Sequence, residues 1–163
     1  MTPAVELLRS LGIDHRIVEY EHDPSHRSFG EEAVEALGVD PDHVFKTLMV
    51  TLDDGTHAIG VIPVTTRLDL KAIAAAAGSK RATMTDPTQA ERRSGYVVGG
   101  ISPFGQRQMS ATFVDESARG HDEIYCSAGR RGVEIVVAPE AFEHALDATF
   151  APISTSGLAR VAP

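Results

Sequence analysis

Residues 44–63 read VFKTLMVTLDDGTHAIGVIP, two β-rich segments joined by the turn sequence Asp53-Asp54-Gly55. Residues 44–52 and 57–63 are rich in β-branched and long apolar side chains, which favour a pleated, half-buried surface. An Asp-Gly pair between two such segments is a strong signal for a β-hairpin. The sequence therefore predicts two antiparallel strands here, and the remaining elements are placed around them.

Helices and further strands are predicted on both sides of this hairpin. Thr2-Pro3 opens a first helix whose apolar residues recur at helical spacing, and Gly12 ends it. Ser28 and Glu31 form the capping-box pattern of a second helix. The other predicted elements are a strand over 16–20, a helix after Asp69 through 77, a helix after Asp86-Pro87 through 93, strands over 111–114, 123–127 and 133–137, and a helix from 139 to about 148.

The mixture of helices and short strands predicts an α+β fold. Most neighbouring strands have connections short enough for antiparallel pairing, and no regular βαβ repeat is visible in the sequence. We expect a curled, barrel-like, mixed and mainly antiparallel sheet surrounded by helices. The chain has 163 residues, of which 42% are hydrophobic, and this predicts a single domain over residues 1–153 followed by a disordered tail over 154–163.

Charge and cysteine content narrow the class of protein. The formal charge of −8 argues against a broad surface that coats nucleic acid, but it leaves room for a local basic site. Cys126 is the single cysteine, which rules out an internal disulfide, and its apolar neighbours predict a buried thiol in a reducing compartment. The sequence shows neither a signal-peptide pattern nor an apolar stretch of membrane-spanning length. We therefore expect a soluble cytoplasmic protein.

A second informative stretch is GYVVGGISPFG, residues 95–105, which places four glycines and Pro103 around Ser102. Glycine lets the main chain approach a ligand closely, and proline fixes the direction in which the chain leaves. The composition is typical of a loop that binds a carbonyl or phosphate group through its N–H groups. An irregular connection between two core elements fits the composition equally well.

Lys46 and Glu134 are charged residues within predicted strands. Alternation along the strand places Lys46 on the same face as Leu48 and Val50. A lysine there either extends its ammonium to water over an apolar stem or serves as a cation at the mouth of a pocket. Glu134 follows the glycine-flanked turn at 127–132, which taken alone is typical of an ordinary basic hairpin turn.

Familiar catalytic patterns are absent from the sequence. It contains no His-Glu-x-x-His, Cys-x-x-Cys, Gly-x-Ser-x-Gly or Walker motif. The seven histidines show no ligand spacing, so neither a metal nor a cofactor is expected. Ser102 has no identifiable histidine partner, and Cys126 is placed in a strand. An enzyme with this sequence would lack an obvious nucleophile.

An ordered set of short motifs resembles the YbaK family, the free-standing YbaK/EbsC-type prolyl-tRNA editing domains. The resemblance extends from residue 1 to roughly residue 153, and the ordered set is more specific than any one motif. The motifs are MTPA (1–4), YEHDP (20–24), FG (29–30), VFKTL (44–48), LDLK (68–71), DP (86–87), GYVVGGISP (95–103) and RG (131–132).

The resemblance implies a function and a fold. The fold would be the family's mixed β-sheet with surrounding helices. The function would be that of a deacylase acting in trans on the acceptor end of mischarged aminoacyl-tRNA, with Cys-tRNA(Pro) as the typical substrate. In this subfamily the substrate's own thiol attacks its ester carbonyl, which would explain the missing nucleophile. Prolyl-tRNA synthetase is the implied partner, and neither DNA nor a membrane is implied.

The resemblance also assigns site residues. Lys46 corresponds to the family's essential lysine, and the main chain around Gly100, Ile101 and Ser102 would stabilise the developing oxyanion, with Ser102 orienting the substrate. Glu134 stands where the family carries aspartate, and Ala128 stands where glycine is usual. The expected substrate-binding residues are Tyr20, Phe29, Gly99, Pro103, Ser127, Gly129 and Glu134.

Two alternatives remain open at this point. The first is a deacylase for alanine or another small amino acid on tRNA, which would need a positioned water because the substrate has no thiol. The second is a non-catalytic module that binds tRNA or a nucleotide.

Overall fold

The structure, a computed structural model, describes residues 1–25 and 29–156. The helices are α1 (Pro3–Ser10), α2 (Phe29–Leu37), α3 (Leu70–Ala76), α4 (Pro87–Ser94) and α5 (Glu140–Leu146), with short 3-10 helices at Pro41–His43 and Glu116–Gly120. The strands are β1 (Arg16–Glu19), β2 (Phe45–Leu52), β3 (His57–Pro63), β4 (Thr66–Leu68), β5 (Ala82–Met84), β6 (Ala111–Asp115), β7 (Ile124–Arg130), β8 (Val133–Val137), β9 (Thr149–Ala151) and β10 (Ser154–Ser156). Among the helices of these described ranges, none has the length and apolar character needed to cross a membrane.

A five-stranded sheet in the order β5-β2-β3-β6-β9 is built around the predicted hairpin. Strands β2 and β3 pair antiparallel from Phe45 opposite Pro63 to Thr51 opposite His57. Strand β5 adds an antiparallel edge to β2, whereas β6 and β9 continue the sheet on the other side in parallel pairs. The predicted α+β class and mixed, mainly antiparallel pairing are confirmed.

A three-stranded antiparallel sheet in the order β1-β8-β7 lies beside the first. Its central strand, β8, places Glu134 opposite Val18 of β1 and Ser127 of β7. A parallel bridge between Val44 and Tyr125 joins the start of β2 to β7. Glu134 therefore lies on a strand with neighbours on both sides, close to the strand that carries Lys46.

The central hairpin separates two hydrophobic cores. On one face, Met49 and Val61 pack in a core completed by α1, α5 and strands β7 and β8. On the other face, Val50 and Ile62 pack in a core completed by α3 and Ile153. Since successive strand residues point to opposite faces, apolar residues at both odd and even positions of the hairpin are buried.

Several predicted helix starts are confirmed by side-chain caps. The Thr2 hydroxyl accepts from the Val5 amide, and the carboxylates of Asp69 and Asp86 cap α3 and α4 in the same way. Each cap satisfies an amide that the first helical turn leaves unpaired. The predicted Ser28 cap of α2 lies outside the described residues.

The short strands β4, β5, β9 and β10 were not predicted. Each has three residues, too few to show alternation, and each is defined by a partner distant in sequence. The predicted disordered tail is wrong for residues 154–156, which pair with Thr66–Leu68 as β10. Residues 157–163 lie outside the described residues.

Candidate active site

A cavity of about 350 Å³ opens where β2, the β1-β8-β7 sheet, α2, α4 and the glycine loop meet. Most of its lining side chains are apolar, and the polar groups come from separate elements. A concave and mainly apolar site with a few polar groups is the usual form of a small-molecule pocket. The polar and charged lining residues are Tyr20, Lys46, Thr47, Thr85, Ser127 and Glu134.

The cavity brings together a large part of the predicted site. The predicted residues that line it are Tyr20, Lys46, Gly99, Ile101, Ser127 and Glu134. Gly100, Ser102, Pro103 and Gly129 were also predicted, and they are not among its lining residues. The side chain of Phe29 lies outside the described part of the structure.

Lys46 lies near the start of β2, opposite Ile62 of β3, with its side chain half-buried in the cavity wall. Burial lowers the pKa of its ammonium, the Arg67 guanidinium lowers this pKa further, and the Glu31 carboxylate acts in the opposite direction. A cation that is partly removed from water interacts more strongly with an anion that enters the cavity. Lys46 is therefore placed as a cation within a pocket.

Glu134 is a buried carboxyl group in the cavity wall, with 7% of the residue exposed. Burial raises its pKa to about 8, so most of the group is protonated at pH 7. Tyr20 lines the same cavity, and its pKa is raised to about 12, first by burial and then by Glu134 and Glu32. At neutral pH this part of the wall offers two neutral O–H groups.

Tyr20 is held in place by its main chain and by the segment that follows. Its amide donates to the Gly132 carbonyl at 2.9 Å, which continues the β1-β8 pairing. The buried carboxylate of Glu32 accepts from the Asp23 amide at 2.7 Å and lies 2.7 Å from Nδ1 of His22. Helix α2 thus anchors the chain immediately after Tyr20.

The front of the glycine loop, residues 97–101, forms one wall of the cavity. The Gly100 amide donates to the Val97 carbonyl at 2.8 Å, closing a four-residue turn, and Gly99 has a φ of 89°. A positive φ at the third position is typical of a type II turn and favours glycine. Because its N–H is used within this turn, Gly100 does not supply the free amide that the sequence analysis expected.

Gly100 has a packing role instead. A Cβ at this position would lie 3.0 Å from the amide nitrogen of Arg131 and 3.1 Å from Cα of Arg130. The loop can therefore approach the turn between β7 and β8 closely only with glycine here.

The rear of the glycine loop, residues 102–105, turns into the first core. Ser102 is fully buried, and its hydroxyl oxygen accepts from the Phe104 amide at 3.2 Å. Pro103 lines a separate cavity of about 180 Å³ near Leu7 and Leu146. The prediction that Ser102 and Pro103 contact the substrate is therefore not supported by their positions.

In the predicted turn at 127–132, too, one predicted residue lines the cavity and another does not. Ser127 lines the cavity, and its hydroxyl oxygen accepts from the Gly129 amide at 3.1 Å. Gly129 itself faces the Tyr96 ring, where an added Cβ would lie 2.5 Å from Cε1. Ser127 can meet a ligand, whereas Gly129 shapes the turn beneath it.

The cavity wall also contains residues that were not predicted to belong to the site. Gly30 of α2 lies against Val64, and Met84, Thr85 and Pro87 complete the wall near α4. The sequence motifs FG (29–30) and DP (86–87) were the signals that pointed to this region. The other positions come from distant segments whose proximity depends on the sheet.

The described cavity wall lacks the Cys and His residues that form the commonest nucleophile–base pairs. No Cys or His is among its described lining residues. Cys126 is fully buried elsewhere, and burial raises its thiol pKa well above the ordinary value. Within residues 1–25 and 29–156, no three His, Cys, Asp or Glu side chains group as metal ligands would.

Comparison with known proteins identifies the family. A model of the aminoacyl-tRNA editing domain matches residues 23–145. The chain is 33% identical over 154 residues to a protein of Enterococcus faecalis named "Putative Cys-tRNA(Pro)/Cys-tRNA(Cys) deacylase EbsC", covering 94% of this chain and 93% of that protein. It is also 27% identical over 122 residues to a proline–tRNA ligase of Shouchella clausii, covering 75% of this chain and 21% of the ligase.

Solved structures show the same fold. Hypothetical protein APE2540 matches with a TM-score of 0.85 at 23% identity, covering 94% of this chain and all of that chain. A "putative trans-editing enzyme for prolyl tRNA synthetase" matches with a TM-score of 0.80 at 20% identity, covering 96% of this chain and 99% of the other. The predicted resemblance is confirmed. The chain belongs to the aminoacyl-tRNA editing domain family.

Proposed function

We propose that this protein removes cysteine from mischarged Cys-tRNA(Pro) by cleaving the ester between the amino acid and the 3′ end of the tRNA. The family and the 33% identical relative support a deacylase acting on aminoacyl-tRNA. One observation within the molecule carries the finer proposal. The cavity holds a cation and main-chain amides, but its described wall contains no Cys or His to attack or to activate an attacking group.

A substrate that brings its own nucleophile suits such a cavity. The thiol sulfur of the bound cysteine attacks its own ester carbonyl and forms a C–S bond. The C–O bond to the terminal ribose then breaks, and the thiol proton ends on the ribose hydroxyl that leaves. The products are a cysteine thiolactone and uncharged tRNA. The protein contributes by holding the sulfur close to the carbonyl carbon, because proximity alone can account for a large part of such a barrier.

Charge develops on the carbonyl oxygen during this attack. Lys46 supplies a positive charge in the cavity, close to the ester carbonyl or to the terminal phosphate. The amides of Gly99 and Ile101, rather than that of Gly100, are the proposed oxyanion donors, since both residues line the cavity. Preorganised donors of this kind commonly provide the largest part of the rate enhancement.

The remaining predicted residues receive binding roles in this proposal. Tyr20, Ser127 and Glu134 contact the amino acid through their O–H groups, which are available in a mainly apolar pocket. Phe29 is proposed as a binding residue by resemblance alone. Pro103 and Gly129 act indirectly, because they shape segments that lie next to the cavity.

The proposed substrate also implies a partner protein. Part of a proline–tRNA ligase is similar to 75% of this chain, which supports an activity coupled to prolyl-tRNA synthesis. The net charge of −8 disfavours strong binding to tRNA by this chain alone. We therefore propose that prolyl-tRNA synthetase presents the charged acceptor end, and that the reaction takes place in the cytoplasm.

A panel of charged tRNAs tests this function. The protein is mixed with Cys-tRNA(Pro), Ala-tRNA(Pro) and Ser-tRNA(Pro), and release of the labelled amino acid is followed. We expect Cys-tRNA(Pro) to be cleaved at least about 100-fold faster than the other two, since they lack an internal thiol. Equal or faster cleavage of Ala-tRNA(Pro) would favour a water-based deacylase. Binding of all three without cleavage would indicate a non-catalytic module.

A further inference from the structure

Two charged side chains from different elements hold the main chain of Val98, at the front of the glycine loop. The Val98 amide donates to Oε2 of Glu91, on α4, at 2.7 Å. The Val98 carbonyl accepts from Nε of Arg131 at 3.0 Å and also from its Nη2. Arg131 lies in the turn between β7 and β8, and its planar guanidinium can present both donors to one oxygen.

This carbonyl belongs to the central peptide of the turn that contains Gly99. The same peptide unit carries the Gly99 N–H, and in a trans peptide the C=O and N–H bonds point in opposite directions. No peptide bond in the described chain is cis. Whatever fixes the direction of the Val98 carbonyl therefore also fixes the direction of the Gly99 N–H.

Glycine by itself does not choose this direction. With the same four residues, a type I turn has its central peptide rotated by about half a turn and a negative φ at the third position. Gly99 can adopt either conformation, because it has no Cβ. In this structure φ is 89°, which selects the type II form. An interaction outside the turn can therefore stabilise one form over the other.

We propose that Arg131 is a positioning residue, which holds the Val98 carbonyl on the side of the β7–β8 turn and thereby directs the Gly99 N–H into the cavity. Gly99 lines the cavity, whereas Arg131 is not among its lining residues. The inference rests on the proposed function only where it makes this N–H an oxyanion donor. Control of the direction of the Val98–Gly99 peptide by Arg131 does not depend on the proposed function.

Kinetics test the catalytic part with a charge-matched control. Arg131→Ala should lower the maximal single-turnover rate constant for Cys-tRNA(Pro) by about 10²-fold, the usual cost of one lost oxyanion donor. The protein concentration that gives half of the maximal rate should change little. Arg131→Lys, which keeps one donor, should recover part of the rate. Arg130→Ala removes the same charge from the adjacent residue, whose side chain is 66% exposed and lies 3.9 Å from Glu19. This control should change the rate constant by less than about 3-fold, because exposed ion pairs contribute little.

NMR of the free protein tests the conformational part without any activity. In a type II turn the Val98 Hα lies close to the Gly99 amide hydrogen, whereas in a type I turn the two are further apart. Wild type and Arg130→Ala should show a strong nuclear Overhauser effect between these hydrogens, and Arg131→Ala should show a weakened one.

The two measurements separate the possible failures. If Arg131→Ala keeps the strong nuclear Overhauser effect between the Val98 Hα and the Gly99 amide hydrogen, the positioning role is overturned. It is also overturned if the deacylation rate of Arg131→Ala matches that of Arg130→Ala. If wild type shows no deacylase activity while Arg131→Ala loses the effect, the proposed function fails and control of the turn by Arg131 is retained.

Discussion

The two halves of the glycine-rich loop both contain glycine but have opposite surroundings. Residues 97–101 face the cavity, where Val98, Gly99 and Ile101 form part of its wall. Residues 102–105 face the first core, where Ser102 and Phe104 are fully buried. Glycine content therefore does not identify the ligand-binding part of a loop. The packing of each half decides its role.

The polar groups of the two halves also have different partners. In the rear half, the Phe104 carbonyl accepts from the Tyr96 hydroxyl at 2.7 Å, and the Ser102 carbonyl accepts from the Gln106 side chain at 3.0 Å. In the front half, the Val98 N–H and C=O are bound by the charged side chains of Glu91 and Arg131, respectively. Substitutions in the rear half should therefore affect stability, and those facing the cavity should affect the reaction.

The largest expected effect is on the stability of the core behind the loop. Phe104→Ala should lower the free energy of unfolding by about 3–5 kcal/mol, because it removes a buried ring that lies 5.0 Å from the Phe142 ring, measured between centroids. Urea unfolding measures this loss. The turnover rate of the molecules that remain folded should stay within a few-fold of wild type. A loss below about 1 kcal/mol would show that the rear half is not part of the core.

On the cavity side, Lys46→Ala should reduce the deacylation rate by about 10²–10³-fold, the cost typical of a lost electrostatic donor. The stability should change little, because the side chain is only half-buried. Single-turnover kinetics and urea unfolding on the same sample give both quantities. Lys71→Ala, on the exposed side of α3, is the matched control. An active Lys46→Ala enzyme would remove the lysine from the mechanism.

Glu134 should produce a pH dependence of stability. Burial raises its pKa in the folded protein to about 8 from the ordinary 4.5, so the folded state holds a proton that the unfolded chain releases. The free energy of unfolding should therefore fall as the pH rises from about 5 to about 8. Tyr20 and Cys126 lie nearby, and their raised pKa values keep both protonated in this range.

Glu134→Gln should remove most of this decline. At pH 8 the variant should be more stable than wild type, by on the order of 1–3 kcal/mol, and at pH 5 the two should be similar. Urea unfolding at both pH values tests the claim. Parallel pH profiles for the two proteins would show that Glu134 is not a buried acid.

The smallest expected effect concerns Ser102. Ser102→Ala removes the acceptor of the Phe104 amide and should lower the free energy of unfolding by roughly 1–2 kcal/mol. The deacylation rate should stay within about 2-fold of wild type, because the hydroxyl does not face the cavity. A 100-fold loss of rate without a loss of stability would return Ser102 to the catalytic group.

Local signals explain which parts of the fold could be predicted from the sequence. The hairpin at 44–63 and the caps at Thr2, Asp69 and Asp86 depend on neighbouring residues, and all were predicted. Strand β10 was missed because its three residues form a strand only through pairing with β4.

In the candidate site, too, features that depend on neighbouring residues could be predicted, whereas those that depend on distant contacts could not. Lys46 and Glu134 could be singled out because a charge within an apolar strand is unusual. The division of the glycine loop could not be predicted, since it depends on contacts with Arg131 and with the core near Phe142, both distant in sequence. The position of Gly30 in the cavity wall likewise depends on its contact with Val64.

Cleavage assisted by the substrate thiol is tested most directly by comparing Cys-tRNA(Pro) with S-methylcysteinyl-tRNA(Pro) in single-turnover deacylation by the wild-type protein. The two substrates have nearly the same shape, but the methylated sulfur has lost its proton and cannot attack to form a stable thiolactone. Attack by the substrate thiol predicts at least a 100-fold lower rate for the methylated substrate, as expected when an intramolecular nucleophile is lost. Equal rates would show that the protein activates a water molecule itself, and would rule out attack by the substrate thiol.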